Sequence, residues 1–289
     1  MQGTVDGFSY GLVTPVVAFL MACLGAALGL RCTTRSLRTR GATRAGWLAL
    51  GATSIGSGIW TMHFIAMVGF SVERTTMSYD RPLTFASLAV AVVMVGIGIF
   101  LVGYRGATRM ALVTGGTITG LGVASMHYLG MAGMRFEGEF TYDTFTVSLS
   151  VLIAVVAATA ALWAAVSIHG FLPSLGASVV MGVAVSGMHY TGMAALQVHL
   201  HPAAVPGAAA DSPTALLIPM MIGPGCFLLL AGVIVLFDPL AVTGEPRGTT
   251  GRPGQAPRGP GQVTAIPLQR RRTSAGTPAG RGYRRPRNS

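Results

Sequence analysis

The segment Met62-His63-Phe64-Ile65-Ala66-Met67 recurs twice more along the chain with small changes. The other copies are Met126-His127-Tyr128-Leu129-Gly130-Met131 and Met188-His189-Tyr190-Thr191-Gly192-Met193. Each copy reads Met-His-aromatic-x-small-Met, and successive copies begin 64 and 62 residues apart. All three lie inside apolar stretches. Histidine is rare inside a bilayer because burying an ionisable group in hydrocarbon is costly, so three such motifs indicate a functional site.

The apolar stretches around the motifs predict a membrane protein. The chain is 51% hydrophobic and only 10% charged, whereas a soluble domain carries about a quarter charged residues. A helix needs roughly 20 apolar residues to cross a bilayer and satisfies its own backbone hydrogen bonds. Seven such spans are predicted, at residues 10–30, 46–70, 82–104, 110–134, 146–168, 173–197 and 215–237. We therefore expect an all-α integral membrane domain over residues 1–240 and a disordered Gly/Pro/Arg-rich tail over residues 241–289.

The similarity between the copies extends beyond the six-residue motif. Seven residues before each histidine stand Gly56, Gly120 and Gly182, and four residues before it stand Ile59, Val123 and Val185. The first two copies are followed by Tyr79-Asp80 and Tyr142-Asp143. The pattern predicts three parallel two-helix repeats of about 60 residues plus a seventh helix.

On a helix, each histidine shares a face with the methionine four residues later and with the glycine seven residues earlier. Small residues let membrane helices approach closely, so the three motif helices are expected to meet and bring His63, His127 and His189 together. Thioether is a soft donor and imidazole suits Cu, Zn, Fe and Ni, so the combination favours copper, Cu(I) in particular. Haem held by His or Met is an alternative, and a packing motif without a metal is another.

The charge pattern predicts the orientation in the membrane. All 20 basic residues are arginine, and they concentrate in the first loop, the third loop and the C-terminal tail. By the positive-inside rule these parts are cytoplasmic and the N-terminus is outside, which places the histidines toward the outer face of a bacterial plasma membrane. The net charge of +11 therefore indicates no specific nucleic-acid partner, although the tail could contact anionic lipid. None of Cys23, Cys32 and Cys226 lies in an outer loop, so no structural disulfide is expected.

With these motifs in view, the chain resembles the MHYT domain, whose name Met188-His189-Tyr190-Thr191 spells. The resemblance covers roughly residues 8–240 and implies a bacterial membrane sensor with copper near the outer face, responding to oxygen, carbon monoxide or nitric oxide. It also implies an unknown cytoplasmic signalling partner. Two departures are Phe64, where the motif has Tyr, and the absence of Tyr-Asp after the third copy. The implied copper ligands are Met62, His63, Met67, Met126, His127, Met131, Met188, His189 and Met193.

A sensor of a diatomic gas or of redox state is the favoured function, and two alternatives stay open. One is copper transport or handling, and the other is a haem-binding membrane electron carrier. No nucleophile–base constellation or phosphate loop indicates an enzyme. Asp80 and Asp143 are expected to cap the spans that follow them, or else to orient the imidazoles. His199 and His201 are expected to be solvated, with metal capture as the alternative.

Overall fold

In the computed structural model, the chain is described at residues 5–6, 11–72, 78–136, 138–200 and 213–238. Within these ranges it forms seven helices, one for each predicted span, which confirms the helical character of the fold. The helices are α1 Val13–Ser36, α2 Gly41–Val68, α3 Arg81–Arg105, α4 Arg109–Ala132, α5 Thr144–Ser167, α6 Phe171–Ala194 and α7 Pro213–Phe237. The predicted tail, residues 241–289, lies outside the described residues.

Among the described residues, five helices are long and apolar enough to cross a membrane: α1, α3, α5, α6 and, from Leu217, α7. The chain is thus a multi-pass membrane protein. The other two, α2 and α4, are diluted by glycine, serine and threonine on buried faces, such as Ser54 and Ser57 in α2 and Gly115 and Thr119 in α4. Small residues on these buried faces permit close packing against the neighbouring helices.

The loops at one end of the helices form short antiparallel ribbons that were not predicted. Their strands are β1 Val5–Asp6, β2 Ser71–Val72, β3 Ser78–Tyr79, β4 Met134–Arg135, β5 Gly138–Tyr142 and β6 Leu196–Leu200. The pairs are β1 with β2, β3 with β4, and β5 with β6. Each ribbon joins the entry of an odd-numbered helix to the exit of the next even-numbered helix. The ribbons therefore close three helical hairpins, α1–α2, α3–α4 and α5–α6.

Six helices form a closed ring. Each of α1 to α6 contacts its neighbours in the chain, α1 also contacts α6, and α7 packs outside the ring against α2 and α1. At the end of α7, Asp238 pairs with Arg35 of α1 at 2.9 Å. The three cysteines, Cys23, Cys32 and Cys226, are free in the structure.

The glycines seven residues before each histidine do not bring the motif helices against one another. A Cβ on Gly120 would lie 2.5 Å from the Cα of Val155 in α5, and a Cβ on Gly56 would lie 2.9 Å from the Cα of Val92 in α3. Gly182 likewise faces Phe19 and Cys23 of α1. The prediction that these glycines bring the three motif helices into contact with one another is therefore wrong. Each glycine instead seats its motif helix against an odd-numbered helix, and α1, α3 and α5 contact one another.

Candidate metal centre

The three motif histidines meet in the interior of the helical ring. His63, His127 and His189 come from α2, α4 and α6, and none is more than 2% exposed. Their Nδ1 atoms form a nearly equilateral triangle with sides of 3.0 Å (His63–His189), 3.2 Å (His63–His127) and 3.3 Å (His127–His189). The ring planes stand at 80°, 81° and 90° to one another. The predicted convergence of the three histidines is therefore present.

The helices place the three rings at the same level. In each motif helix the histidine lies five residues before the helix end, at Val68, Ala132 or Ala194. Since the repeat spacing preserves this register, the imidazoles can share one point although they are 62 to 64 residues apart in sequence.

The small residue three positions after each histidine provides the space for a neighbouring ring. A Cβ on Gly130 would lie 2.6 Å from Nε2 of His63, and a Cβ on Gly192 would lie 2.5 Å from Nε2 of His127. Each glycine thus receives the histidine of the preceding motif helix. Sequence reasoning noted a small residue here in all three motifs but did not assign it this role.

Three converging Nδ1 atoms cannot satisfy one another by hydrogen bonds. Each ring nitrogen has one in-plane position, which holds either a proton or a lone pair, so it cannot both donate and accept. In a triangle of such atoms at least one pair must oppose two protons or two lone pairs. A cation at the centre would accept all three lone pairs at once. An ion held at the 2.0–2.1 Å typical of metal–imidazole bonds separates tetrahedral ligands by about 3.3 Å, which fits the observed sides of 3.0 to 3.3 Å.

The donor set around this point is neutral. Among the described residues, the group that could hold a metal consists of the three histidines and includes no aspartate, glutamate or cysteine. The Nε2 atoms of His63 and His127 are buried and find no hydrogen-bond partner in the described part of the chain. Packing holds these rings, and Nδ1 is the nitrogen that the three helices present in common. A neutral, buried site favours an ion of low charge because burying uncompensated charge is costly.

The methionines predicted as ligands are also inside the protein. Five of them, Met62, Met67, Met126, Met131 and Met188, are at most 1% exposed, and Met193 is half-buried. Met62 packs with Ala18, Ala22 and Ala66, whereas the other five belong to or pack against the main core. Their role as ligands stays a prediction.

The hydrogen bond from a motif helix to a serine of the following helix differs between the first and second repeats. The hydroxyl of Tyr128, beside His127, lies 2.7 Å from Oγ of Ser150 in α5. In the first repeat Phe64 has no hydroxyl, and the indole Nε1 of Trp60 instead donates to Oγ of Ser87 in α3 at 3.0 Å. Trp60 thus replaces the contact that the Tyr-to-Phe departure removes.

The aspartates of the Tyr-Asp pairs cap helices. Asp80 accepts a hydrogen bond from the Leu83 backbone N–H at 3.0 Å, and Asp143 accepts one from that of Thr146 at 2.9 Å. The Leu83 bond and the Arg135 guanidinium lower the pKa of Asp80, and the Thr146 hydroxyl and N–H lower the pKa of Asp143. The capping prediction is confirmed.

The histidines outside the motifs lie away from the centre or outside the described structure. His199 lies exposed in β6, with its Nδ1 3.4 Å from the hydroxyl of Thr141. His201 lies outside the described residues. The described part of the chain therefore offers one histidine cluster, built from the three motifs.

Comparison with known protein families matches residues 56–115, 120–178 and 182–239 to the repeat described as "MHYT: Bacterial signalling protein N terminal repeat". The chain is 39% identical over 194 residues to the bifunctional diguanylate cyclase/cyclic di-GMP phosphodiesterase MucR of Pseudomonas aeruginosa. This aligned segment covers 65% of the chain and 28% of that protein. It is 35% identical over 225 residues to the cyclic di-GMP phosphodiesterase NbdA of the same organism, which covers 73% of the chain and 28% of that protein.

A third relative is the signaling protein YkoW of Bacillus subtilis, 30% identical over 199 residues, which covers 66% of the chain and 24% of that protein. The chain thus spans about a quarter of the length of these curated relatives. No solved structure matches it.

Proposed function

Because the chain belongs to the MHYT family of bacterial signalling proteins, we propose that it is a membrane sensor whose three motif histidines bind copper. The observation that carries the proposal is the Nδ1 triangle of His63, His127 and His189, with sides of 3.0 to 3.3 Å in the protein interior. Three neutral imidazoles cannot satisfy all three Nδ1 pairs of such a triangle by hydrogen bonds, which supports a shared ion.

Copper in the Cu(I) state suits this site best. The three imidazoles are neutral, no carboxylate joins them in the described structure, and methionine thioethers adjoin each histidine in sequence. Neutral imidazole and soft thioether donors favour Cu(I) over Mg, Ca or Mn, and the thioethers favour it over zinc, which rarely accepts them and normally takes cysteine, histidine or carboxylate. Three rings that converge on one point also favour a single ion over haem, whose axial ligands approach from opposite faces.

When bound, copper would supply a centre that takes up a diatomic gas or exchanges one electron. The protein's residues hold and shield that centre. The histidines present Nδ1, Gly130 and Gly192 let the rings approach, and the surrounding helices exclude water. Each histidine belongs to a different hairpin, so a change at the centre acts on all three hairpins at once. That arrangement gives a shared element whose two states a signalling partner can read.

We further propose that all seven helices span the plasma membrane, with the N-terminus outside and the arginine-rich end in the cytoplasm. The arginines of the first and third loops flank the ends of α1 to α4 that lie away from the histidines. The motif histidines, five residues before the opposite helix ends, then lie toward the outer face. The signal would pass to a cytoplasmic signalling partner, and the membrane bundle itself would not be an enzyme.

Copper transport is the less favoured function. Below the histidines, the next layer of residues toward the arginine-rich end is aliphatic and includes Ile59, Val123 and Val185. These three side chains offer neither a nitrogen nor a sulfur ligand to a moving ion, which supports a fixed site.

The test is copper content after substitution. We expect purified wild-type protein to retain copper and His127→Ala to lose most of it while the helical circular dichroism stays unchanged. His169→Ala is the matched control, because His169 lies exposed in the loop between α5 and α6 and should leave the copper content unaltered. Equal copper in wild type and His127→Ala would reject the proposed site.

A further inference from the structure

A cavity of about 50 Å³ lies directly below the histidine cluster. Its upper wall includes Ile59, Val123 and Val185, each one helical turn before a motif histidine, and Met188, which precedes His189. The cavity is thus separated from the three imidazoles by a single layer of side chains. A cavity of this size has room for more than one water-sized molecule, since one water needs about 10–15 Å³.

The walls of this cavity are almost entirely hydrocarbon. The one polar side chain among its lining residues is Thr119, whose hydroxyl points to the backbone oxygen of Met94 at 3.4 Å. A water molecule needs two to four polar partners to occupy an interior site, and apolar cavities without them stay dry and bind apolar molecules such as xenon. The cavity therefore excludes water and ions and suits a small uncharged molecule.

The cavity exists because α5 places small side chains where larger ones would fill the core. Ala154, Ala158, Ala161 and Ala165 recur at helical spacing and all line it. On the side where α5 meets α6, the lining residues Ala157, Ala161 and Ala184 are only half-buried. The seam between these two helices is thus the side on which the cavity comes closest to the outer surface of the bundle.

We propose that this cavity binds an uncharged molecule of two or three heavy atoms, admitted between α5 and α6, and holds it against the histidine cluster. The inference rests on the proposed function for the role of the bound molecule, but the cavity itself does not depend on a metal. A small apolar molecule partitions into the membrane, so a lateral entrance between these two helices gives it direct access from the lipid. The aliphatic layer then acts as a filter that passes such molecules and keeps water from the imidazoles.

The first experiment tests the cavity with xenon. In protein labelled at the methyl groups of isoleucine, valine and methionine, xenon pressure should shift the NMR signals of Ile59, Val185 and Met188 in a saturable manner. The signal of Val183, which is 59% exposed on α6, should follow only the unsaturable change expected for lipid-facing groups. Ala158→Leu should abolish the saturable shifts, and Ala158→Val should weaken them. Unsaturable shifts at all four residues in the wild type would overturn the cavity.

The second experiment tests delivery to the histidines with carbon monoxide. In protein loaded with Cu(I), Ala158→Leu should slow carbon monoxide binding at least tenfold at unchanged copper content. Ala160→Leu is the matched control, because it adds the same side chain to the exposed face of α5 and should leave the rate unchanged. Equal rates in Ala158→Leu and wild type would overturn the delivery role. Wild-type protein that binds no copper would reject the proposed function instead. The xenon shifts would then still test whether the cavity binds a small apolar molecule.

Discussion

Gly130 is not a predicted ligand, yet the single methyl group that Gly130→Ala adds should disturb the histidine cluster. A Cβ built on Gly130 lies 2.6 Å from Nε2 of His63 and 3.2 Å from the ring atom Cζ of Phe64. Ordinary contact begins near 3.4 Å, so the His63 ring must move by about 0.8 Å, or α4 must move by a similar distance. That displacement is a quarter of the Nδ1–Nδ1 distance of 3.2 Å between His63 and His127.

Metal–ligand distances tolerate deviations of about 0.2 Å, so a shift of this size should remove His63 from the shared ion or distort its approach. We expect the affinity for Cu(I) to fall at least tenfold, which corresponds to about 1.4 kcal/mol. The substitution should not unfold α4, because alanine is favoured over glycine in a helix by up to about 1 kcal/mol. A lower affinity in a folded protein would thus report on the site and not on global stability.

The assay is competition with a chromogenic Cu(I) chelator in detergent solution, with circular dichroism as the check on folding. Gly187→Ala on α6 is the matched control, since a Cβ there meets no atom within 4 Å. Gly192→Ala should behave like Gly130→Ala, because its Cβ would lie 2.5 Å from Nε2 of His127. If Gly130→Ala binds Cu(I) as tightly as Gly187→Ala, the account of how the rings are seated is refuted.

Three further predictions concern stability, pH and orientation. Trp60→Phe removes the donor to Thr84 O and Ser87 Oγ and should lower the free energy of unfolding by about 1 kcal/mol, whereas Trp163→Phe, 51% exposed, should leave the thermal midpoint nearly unchanged. The capping hydrogen bonds lower the pKa values of Asp80 and Asp143, so both carboxylates contribute stability that is present above the ordinary carboxyl pKa near 3.8 and is lost as the pH falls through the lowered values. The double variant Asp80→Asn, Asp143→Asn should therefore show a smaller fall of the thermal midpoint at acid pH than the wild type. An equal fall in both proteins would show that the caps are not its source. In a cysteine-free background, Arg38→Cys should react with an impermeant thiol reagent only from the cytoplasm and Thr141→Cys only from outside, and the reverse labelling would invert the proposed orientation.

Much of the fold follows from hydropathy alone. The seven predicted spans match the seven described helices to within six residues at each end, because a run of about 20 predominantly apolar residues leaves few alternatives to a helix. The convergence of His63, His127 and His189 also follows from the sequence, since the motifs recur in one helical register. The caps at Asp80 and Asp143 could also be predicted, because an aspartate directly before a helix is a local feature of the sequence.

The lateral arrangement of the helices could not be predicted in this way. Periodicity places Gly120 on the face of His127, but whether that face meets a motif helix or α5 at a given depth depends on how the helices cross. The structure places Val155 of α5 there. The apolar cavity has the same origin, because it results from where the alanines of α5 fall relative to three other helices. The pairing of β5 with β6 joins segments that are far apart in sequence and carry no strong strand pattern.

The role of Gly130 and Gly192 could be predicted only in part from the sequence. The small residue three positions after each histidine is visible in the repeated motif, and small residues in membrane helices signal close approach. What the sequence does not contain is the identity of the approaching group. Only the structure shows that it is an imidazole ring, and that each glycine serves the histidine of the preceding motif helix.

X-ray absorption at the copper edge of the purified protein shows whether the three motif histidines share one copper ion. We expect about one copper per histidine cluster, an edge position characteristic of Cu(I), and the multiple-scattering pattern of imidazole nitrogen ligands. The imidazole pattern should weaken in His63→Ala and stay unchanged in His199→Ala. Protein that is folded but free of copper, or copper whose spectrum lacks imidazole scattering, would show that the three histidines do not share a copper ion.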